Sequence, residues 1–134
     1  MGVMQRWGPG DDGGPGGDLT SVCMAREEIS RVSEACALIA GMNSIGVILP
    51  LLHFGTEEQK KRWLPLVAKG RTWTAVAMTE PESGSDVASM KTRAKKDGAS
   101  WMLNGQNCYI TWGNMAHWIL VVASTSGATG FQGI

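Results

Sequence analysis

The sequence predicts an α+β fold in which helices at the N-terminal side are followed by an antiparallel β domain. Apolar residues recur in steps of three and four before residue 70, and short β-branched or aromatic runs separated by turn dipeptides follow it. Hydrophobic residues make up 43% and charged residues 18% of the 134-residue chain, which is a globular composition. We expect an irregular lead-in at 1–17, a helical portion at 18–70 and an incomplete β domain at 71–134.

The lead-in is rich in glycine and has no apolar period, which is typical of irregular structure. Gly8, Gly10 and Gly13 formally match the G-x-G-x-x-G pattern of dinucleotide-binding loops. No strand precedes these glycines, and Asp11 and Asp12 would repel a pyrophosphate. The match therefore does not predict a nucleotide site.

Two helices are predicted before residue 54. The first begins after Asp18, a favourable N-cap, and carries one apolar stripe. The stripe consists of Val22, Ala25, Ile29, Val32 and Cys36. The second helix covers about Glu34–His53 and ends at Phe54-Gly55. Because it is apolar nearly all round, we expect it to be buried between other elements.

A third helix is predicted to begin after Thr56, which can form a capping box with Gln59. Gly70 is placed to terminate it. Pro65 is expected to bend or interrupt this helix, because a proline inside a helix lacks the N–H group and costs about 3 kcal/mol.

The region after Gly70 predicts five short strands joined by turns. The strands are expected at Trp73–Thr79, Ser89–Lys96, Trp101–Leu103, Asn107–Thr111 and Trp118–Ser124. Asp97-Gly98 and Asn104-Gly105 are turn dipeptides of the kind that connects hairpin strands. Alternation in the second strand predicts a solvated basic face made of Lys91, Arg93 and Lys95.

Charge and residue counts argue against several function classes. Twelve basic residues balance twelve acidic ones, so neither nucleic acid nor an anionic membrane is expected as a partner. Three widely spaced cysteines and two isolated histidines predict no disulfide framework and no metal site, and they fit a reducing compartment. The apolar run Ala37–Leu52 has 16 residues, fewer than the about 20 of a membrane span, and no secretory signal is visible.

The segment 76–86 combines features that suit a polar ligand. Pro81 forces Glu80 to be extended, and Gly84 leaves room for a ligand beside the backbone. Hydroxyl groups are offered by Thr79, Ser83 and Ser85. An ordinary strand exit stabilised by Ser and Asp side chains explains the same residues, and physical reasoning alone favours it. The three carboxylates of the segment would also repel a bare phosphate.

A ten-residue signature of the acyl-CoA dehydrogenase family resembles residues 77–86, which read A-M-T-E-P-E-S-G-S-D. Further matches occur in family order at family spacing. They are A-R-E-E-I-S-R at 25–31, F-G-T-E-E-Q-K at 54–60, W-L-P at 63–65, L-N-G at 103–105 and Y-I-T at 109–111. The resemblance covers about residues 17–134. It implies a truncated version of the family fold, in which 71–134 is an FAD-binding β domain.

The resemblance implies nine cofactor-binding positions. They are Val76, Ala77, Met78, Thr79, Gly84, Ser85, Tyr109, Ile110 and Thr111. Thr79 resembles the hydroxyl that bonds the pyrimidine edge of the flavin, and Ser85 resembles a serine near both FAD and the thioester substrate. Tyr109 resembles an aromatic residue packed on the isoalloxazine, and Thr111 a hydroxyl near flavin N5. By residue type alone, Tyr109 would be assigned to the core.

The sequence departs from the family pattern at four positions beside the implied flavin contacts. Tyr109 stands where Trp is frequent, Trp112 where Asn is common, Asn107 where Lys is usual and His117 where Asp is usual. The carboxylate base of the family belongs to a C-terminal helical domain in most members. No glutamate of this chain occupies a matching position, so we assign no catalytic residue.

The resemblance implies that the parent protein is an FAD-dependent acyl-CoA dehydrogenase of fatty acid metabolism. It would desaturate acyl-CoA thioesters at the α,β position and pass electrons to an electron-transferring flavoprotein. A homo-oligomer in a bacterial cytoplasm or the mitochondrial matrix is expected, and this chain alone should be inactive. Two alternatives stay open: an acyl-CoA oxidase or flavin monooxygenase of the same superfold, and an inactive binding module or gene fragment.

Overall fold

The computed structural model describes residues 18–126, apart from the side chains of residues 43–45. The helices are α1 (Leu19–Ser30), α2 (Glu34–Asn43), a π-helical turn (Ser44–Ile48), α3 (Leu49–Phe54) and α4 (Glu57–Ala68). The strands are β1 (Thr74–Ala77), β2 (Arg93–Asp97), β3 (Ser100–Asn104) and β4 (Trp118–Val121), with a 3-10 turn at Val87–Ser89. Helices followed by small sheets confirm the α+β class. The predicted lead-in lies outside the described residues.

The first helix is shorter than its predicted apolar stripe. Asp18 caps it as expected, because its side chain accepts a hydrogen bond from the Ser21 N–H at 2.8 Å. The helix ends at Ser30, and Val32 is 93% exposed, so the prediction that the stripe continues to Val32 and Cys36 is wrong. Ser33 provides the reason: its hydroxyl accepts from the Cys36 N–H at 3.3 Å and begins the next helix.

A helical run from Glu34 to Phe54 matches the second predicted helix. It has 21 residues, so by length and composition it could cross a membrane, unlike the shorter apolar run that the sequence shows. Only a third of its most apolar window is buried, and Phe54 is 87% exposed. The prediction that this helix is buried between other elements therefore holds only for part of it among the described residues: Ala40 and Ile48 are buried, whereas the Phe54 end is not.

Helix α4, the third of the predicted helices, begins and ends where the sequence predicts. At its start, the Thr56 N–H donates to Gln59 Oε1 at 2.8 Å and the Gln59 N–H donates to Thr56 Oγ1 at 3.2 Å. At its end, Gly70 has φ 63° and its N–H bonds the Val67 carbonyl at 2.9 Å, which closes the helix in a left-handed cap. Pro65 does not interrupt α4, which continues to Ala68.

Two two-stranded sheets follow the helices. β2 and β3 form the predicted antiparallel hairpin, in which Asp97 pairs with Ser100 around a turn that places Gly98 at φ 58°. β1 and β4 are parallel, with Thr74 opposite Trp118, so the expectation of an entirely antiparallel domain is corrected. The long connection from β1 through the hairpin to β4 returns the chain in the same direction, which parallel pairing requires.

The predicted strand at Asn107–Thr111 is absent from the described residues. The chain turns there instead, with left-handed backbone at Tyr109 (φ 56°) and Trp112 (φ 61°). Gly105 is needed for close approach rather than for a turn, because a Cβ atom on it would lie 2.7 Å from the Thr92 Cα. The hairpin therefore ends in an irregular segment that crosses toward β1.

A small apolar core joins the helices to the parallel sheet. Ile48, Leu64 and Val67 are its buried centre, and Trp118 of β4 packs against them. The rings of Trp63 and Trp118 lie 5.3 Å apart, centroid to centroid, in a tilted arrangement. This contact fixes α4 against the strand pair that carries the candidate site.

Candidate functional site

The first predicted flavin-contact segment is the end of β1 and the residues that follow it. Ala77 is buried in the sheet, whereas Met78 is exposed and Val76 and Thr79 are half-buried. Gly84 and Ser85 are exposed on the next turn, and a Cβ atom on Gly84 would meet no atom within 4 Å. The segment thus presents backbone and side chains to open space on one side.

A backbone hydrogen bond joins this segment to the second predicted contact. The Cys108 N–H donates to the Thr79 carbonyl at 2.9 Å, and the Asn107 side-chain amide donates to the same oxygen at 3.4 Å. Tyr109 follows directly, while Ile110 and Thr111 are half-buried. Residues that are 28 or more positions apart in sequence are therefore adjacent in space. The structure brings together the two segments that the resemblance assigned to one cofactor.

The Tyr109 side chain is 91% exposed, so the interpretation of it as a core aromatic is wrong. Its left-handed backbone, φ 56°, is unusual for a bulky residue and costs energy that the neighbouring Cys108–Thr79 bond helps to offset. A large ring held on an uncovered surface beside β1 suits a planar partner that would cover its face.

Glu80 is a structural residue of the site that the sequence interpretation missed. The residue is 5% exposed, and its carboxylate accepts the Lys91 N–H at 2.6 Å and the Thr92 N–H at 2.7 Å. Burial raises the pKa of this carboxyl, but hydrogen bonding to Thr92 and to the Lys91 N–H, with the charge of Arg93, lowers the pKa more. The signal in the sequence was the proline after Glu80. Because proline has no backbone N–H, the strand cannot continue its hydrogen bonds to a neighbouring strand through this position.

The turn after Glu80 uses one of the three candidate hydroxyl groups internally. Ser83 is buried, and its hydroxyl donates to the Asp86 carbonyl at 2.6 Å. Glu80 and Ser83 also exchange backbone hydrogen bonds of 2.8 and 3.2 Å. The strand-exit interpretation is therefore right for Ser83, which leaves Thr79 and Ser85 as the hydroxyl groups open to a ligand.

Trp112 and His117 have structural roles beside the candidate site. The Nδ1 atom of His117 accepts a hydrogen bond from the Trp73 backbone N–H at 3.2 Å. The His117 backbone N–H donates to the Trp73 carbonyl at 2.8 Å. The Trp112 ring lies 4.6 Å from the Trp73 ring, centroid to centroid. These contacts hold the turn at 111–115 against the start of β1. The turn that carries Thr111 is thus positioned by the contacts of Trp112 and His117 with Trp73.

Comparison with protein families gives two adjoining matches. The N-terminal domain of acyl-CoA dehydrogenases matches residues 1–71, and the middle domain of acyl-CoA dehydrogenases matches residues 75–134. The chain belongs to the acyl-CoA dehydrogenase family. A probable acyl-CoA dehydrogenase of Mycobacterium tuberculosis is 42% identical over 126 residues, which cover 94% of this chain and 32% of that protein. The chain therefore spans about a third of the length of the relatives it matches.

Solved structures of this family and of a related oxidase resemble the chain. A glutaryl-CoA dehydrogenase from Mycobacterium smegmatis in complex with FADH2 has a TM-score of 0.87 and 34% identity, covering 93% of this chain and 32% of that one. The prolyl acyl carrier protein oxidase AnaB has a TM-score of 0.80 and 38% identity, covering 92% of this chain and 33% of that one. The α+β fold of this acyl-CoA dehydrogenase chain is thus that of flavoprotein oxidoreductases.

Proposed function

We propose that this chain forms the flavin wall of an FAD-dependent acyl-CoA dehydrogenase that desaturates acyl-CoA thioesters at the α,β position. The observation that carries the proposal is the Cys108–Thr79 hydrogen bond of 2.9 Å, which places the uncovered Tyr109 ring beside the end of β1. Open space at Gly84 and an exposed Ser85 lie on the adjoining turn. An aromatic face, hydroxyl groups and free backbone fit a flavin ring with a polar edge.

The residues of the proposed flavin wall would each contact a different part of the cofactor. Thr79 would bond the pyrimidine edge of a bound flavin, Tyr109 would pack on its ring and Thr111 would donate a hydrogen bond near N5. Ser85 would lie near both FAD and the thioester, and the remaining contacts would come from Val76, Ala77, Met78, Gly84 and Ile110. FAD, when bound, supplies the acceptor for the β-hydride. The chain's own groups orient that acceptor and exclude water from one of its faces.

Proton abstraction from the α-carbon needs a carboxylate base, which this chain does not supply in our proposal. Glu80 is unsuited, because both of its oxygens accept backbone N–H groups and its pKa is lowered. The parent enzyme is a homo-oligomer that binds acyl-CoA and passes electrons to an electron-transferring flavoprotein, without nucleic acid or membrane partners. It acts in a bacterial cytoplasm or the mitochondrial matrix, and the chain alone shows no turnover.

The test is FAD retention after the chain is joined to the C-terminal portion of the Mycobacterium tuberculosis relative. Tyr109→Ala removes the aromatic face and should release FAD, whereas Tyr109→Trp should keep it because Trp presents a larger ring. Thr111→Val keeps the shape but loses one hydrogen bond, so its effect should be intermediate. If Tyr109→Ala retained FAD as tightly as the parent while remaining folded by circular dichroism, Tyr109 would not belong to the flavin wall.

An oxidase is the second candidate, favoured by the similarity to the oxidase AnaB. The electron acceptor separates the two functions. Oxygen consumption that depends on acyl-CoA, in the joined protein, would support the oxidase or a monooxygenase. Reduction of an electron-transferring flavoprotein without oxygen consumption would support the dehydrogenase. Stable self-association without binding of any flavin would instead support a non-enzymatic module or an inactive gene fragment.

A further inference from the structure

We infer that Trp112 is a positioning residue of the proposed flavin wall: its ring packs on Trp73 and thereby holds the backbone turn that sets the direction of Thr111. The inference rests on the proposed function, because that function makes Thr111 a flavin contact. Trp112 is not among the residues proposed to touch the cofactor. It acts through the turn to which it belongs.

Residues 110–113 form a tight turn with Thr111 and Trp112 at its two central positions. The Gly113 N–H donates to the Ile110 carbonyl at 3.0 Å, which closes the turn. Trp112 has φ 61°, whereas Thr111 does not lie in the left-handed region. Positive φ at the third residue alone is the mark of a type II turn, in which that position normally holds glycine or asparagine.

Tryptophan is a poor residue for this backbone conformation. Its Cβ atom crowds the following carbonyl group when φ is positive, a clash that glycine avoids and asparagine tolerates. Without an outside contact, Trp112 would therefore favour a type I turn, whose third residue has negative φ. The change from type II to type I rotates the peptide unit between Thr111 and Trp112 by about 180°. The Thr111 hydroxyl then lies at a different angle to the residues that follow it.

The Trp73 ring is the contact that holds Trp112 in the left-handed conformation. The two rings lie 4.6 Å apart, centroid to centroid, at an interplanar angle of 49°, and tilted aromatic pairs of this kind are favourable. Trp73 is itself held in place, because both of its backbone polar groups are bonded to His117, at 3.2 and 2.8 Å. The ring contact therefore acts on the Trp112 backbone from a fixed support.

A simple packing role for Trp112 predicts a different response to substitution. Asparagine and leucine have nearly the same size but opposite properties at this position. Trp112→Asn accepts positive φ without needing a ring contact, whereas Trp112→Leu keeps an apolar contact with Trp73 but resists positive φ. If Trp112 only filled space, leucine would be the better replacement. If it holds the turn through Trp73, asparagine is the better one.

The first experiment measures FAD dissociation from the joined protein described above. Trp112→Asn should keep the parent's affinity for FAD, although it should lower the melting temperature by removing the ring contact. Trp112→Leu should weaken FAD binding about fivefold to thirtyfold, because only the fraction of molecules with the type II turn presents Thr111 correctly. If Trp112→Leu retained FAD as well as Trp112→Asn or better, Trp112 would have a packing role only.

A double-mutant cycle tests the contact between the two rings. Trp73→Leu should weaken FAD binding as Trp112→Leu does. It should have little effect when Trp112→Asn is also present, since asparagine holds the turn without the Trp73 ring. Trp101→Leu, a matched control at an exposed tryptophan of β3, should leave FAD binding unchanged. Equal effects of Trp73→Leu in the two backgrounds would overturn the inference.

A measurement without flavin separates this inference from the proposed function. In the 134-residue chain, NMR should show a strong nuclear Overhauser effect between Thr111 Hα and the Trp112 N–H, which a type II turn brings close together. Trp73→Leu should replace it by an effect between the N–H protons of the same two residues, as in a type I turn. An unchanged pattern would refute the holding role of Trp73, even if the joined protein binds FAD. A joined protein that binds no FAD would refute the proposed function, and the positioning role with it, whatever the pattern shows.

Discussion

Replacing Glu80 tests whether a buried carboxylate holds the proposed flavin wall together. Glu80 accepts the Lys91 and Thr92 N–H groups at 2.6 and 2.7 Å, and thereby ties the turn after β1 to the start of β2. Hydrogen bonds to charged groups contribute about 1.5–3 kcal/mol each. Glu80→Ala leaves both N–H groups without an acceptor, so it should lower the free energy of unfolding by about 3–6 kcal/mol. Since small domains have roughly 5–15 kcal/mol in total, much of the stability would be lost.

A graded series makes the Glu80 prediction measurable by urea unfolding followed through tryptophan fluorescence. Glu80→Gln keeps one acceptor oxygen and should cost about 1.5–3 kcal/mol. Glu82→Gln is the matched control, because Glu82 pairs with Lys91 on the same turn but is exposed, and exposed pairs contribute about 0–1 kcal/mol. If Glu80→Ala destabilises the chain no more than Glu82→Gln does, Glu80 does not hold the turn.

The same carboxylate predicts a pH dependence. The pKa of Glu80 is lowered in the folded chain, so its contribution is complete above the ordinary glutamate value of about 4.3 and is lost as the pH falls through the lowered value. The stability difference between the parent and Glu80→Gln should therefore be full at pH 7 and shrink below about pH 4. A difference that stays constant down to pH 2 would contradict this assignment.

Three further predictions concern the termination of α4, the uncovered apolar surface and turnover. Gly70→Ala should destabilise the chain by about 1–2 kcal/mol in urea unfolding, because Gly70 has φ 63°, whereas Gly84→Ala, in open space, should not. The chain should self-associate in sedimentation through exposed apolar residues, and Phe54→Ser should reduce this association; a compact monomer in the parent would contradict it. With added acyl-CoA and FAD, the chain alone should not reduce an artificial electron acceptor. Reduction that requires the chain would refute the proposal that the chain supplies no catalytic base.

Local signals in the sequence predicted the elements whose causes are local. The Asp18 cap, the Thr56–Gln59 capping box and the Gly70 terminator each depend on atoms within a few residues, and all three are present. The hairpin of β2 and β3 also follows from a short turn and local alternation. The family signature at 77–86 identified the candidate site because it preserves a pattern of residue types rather than a period.

Tertiary structure decided the features that depend on distant partners. β1 pairs with β4 in parallel across more than 40 residues, and no periodicity reports the direction of a partner strand. Tyr109 is exposed because its segment bonds Thr79 instead of forming a strand, which residue type could not indicate. Glu80 is a charged residue whose importance comes from burial, and burial is set by the elements that pack over it. The sequence by itself determined the family, the start of α1 and both ends of α4, because each depends on a short run of residues. The geometry of the site depends on contacts between segments that are far apart in the sequence, so only the tertiary structure decided it.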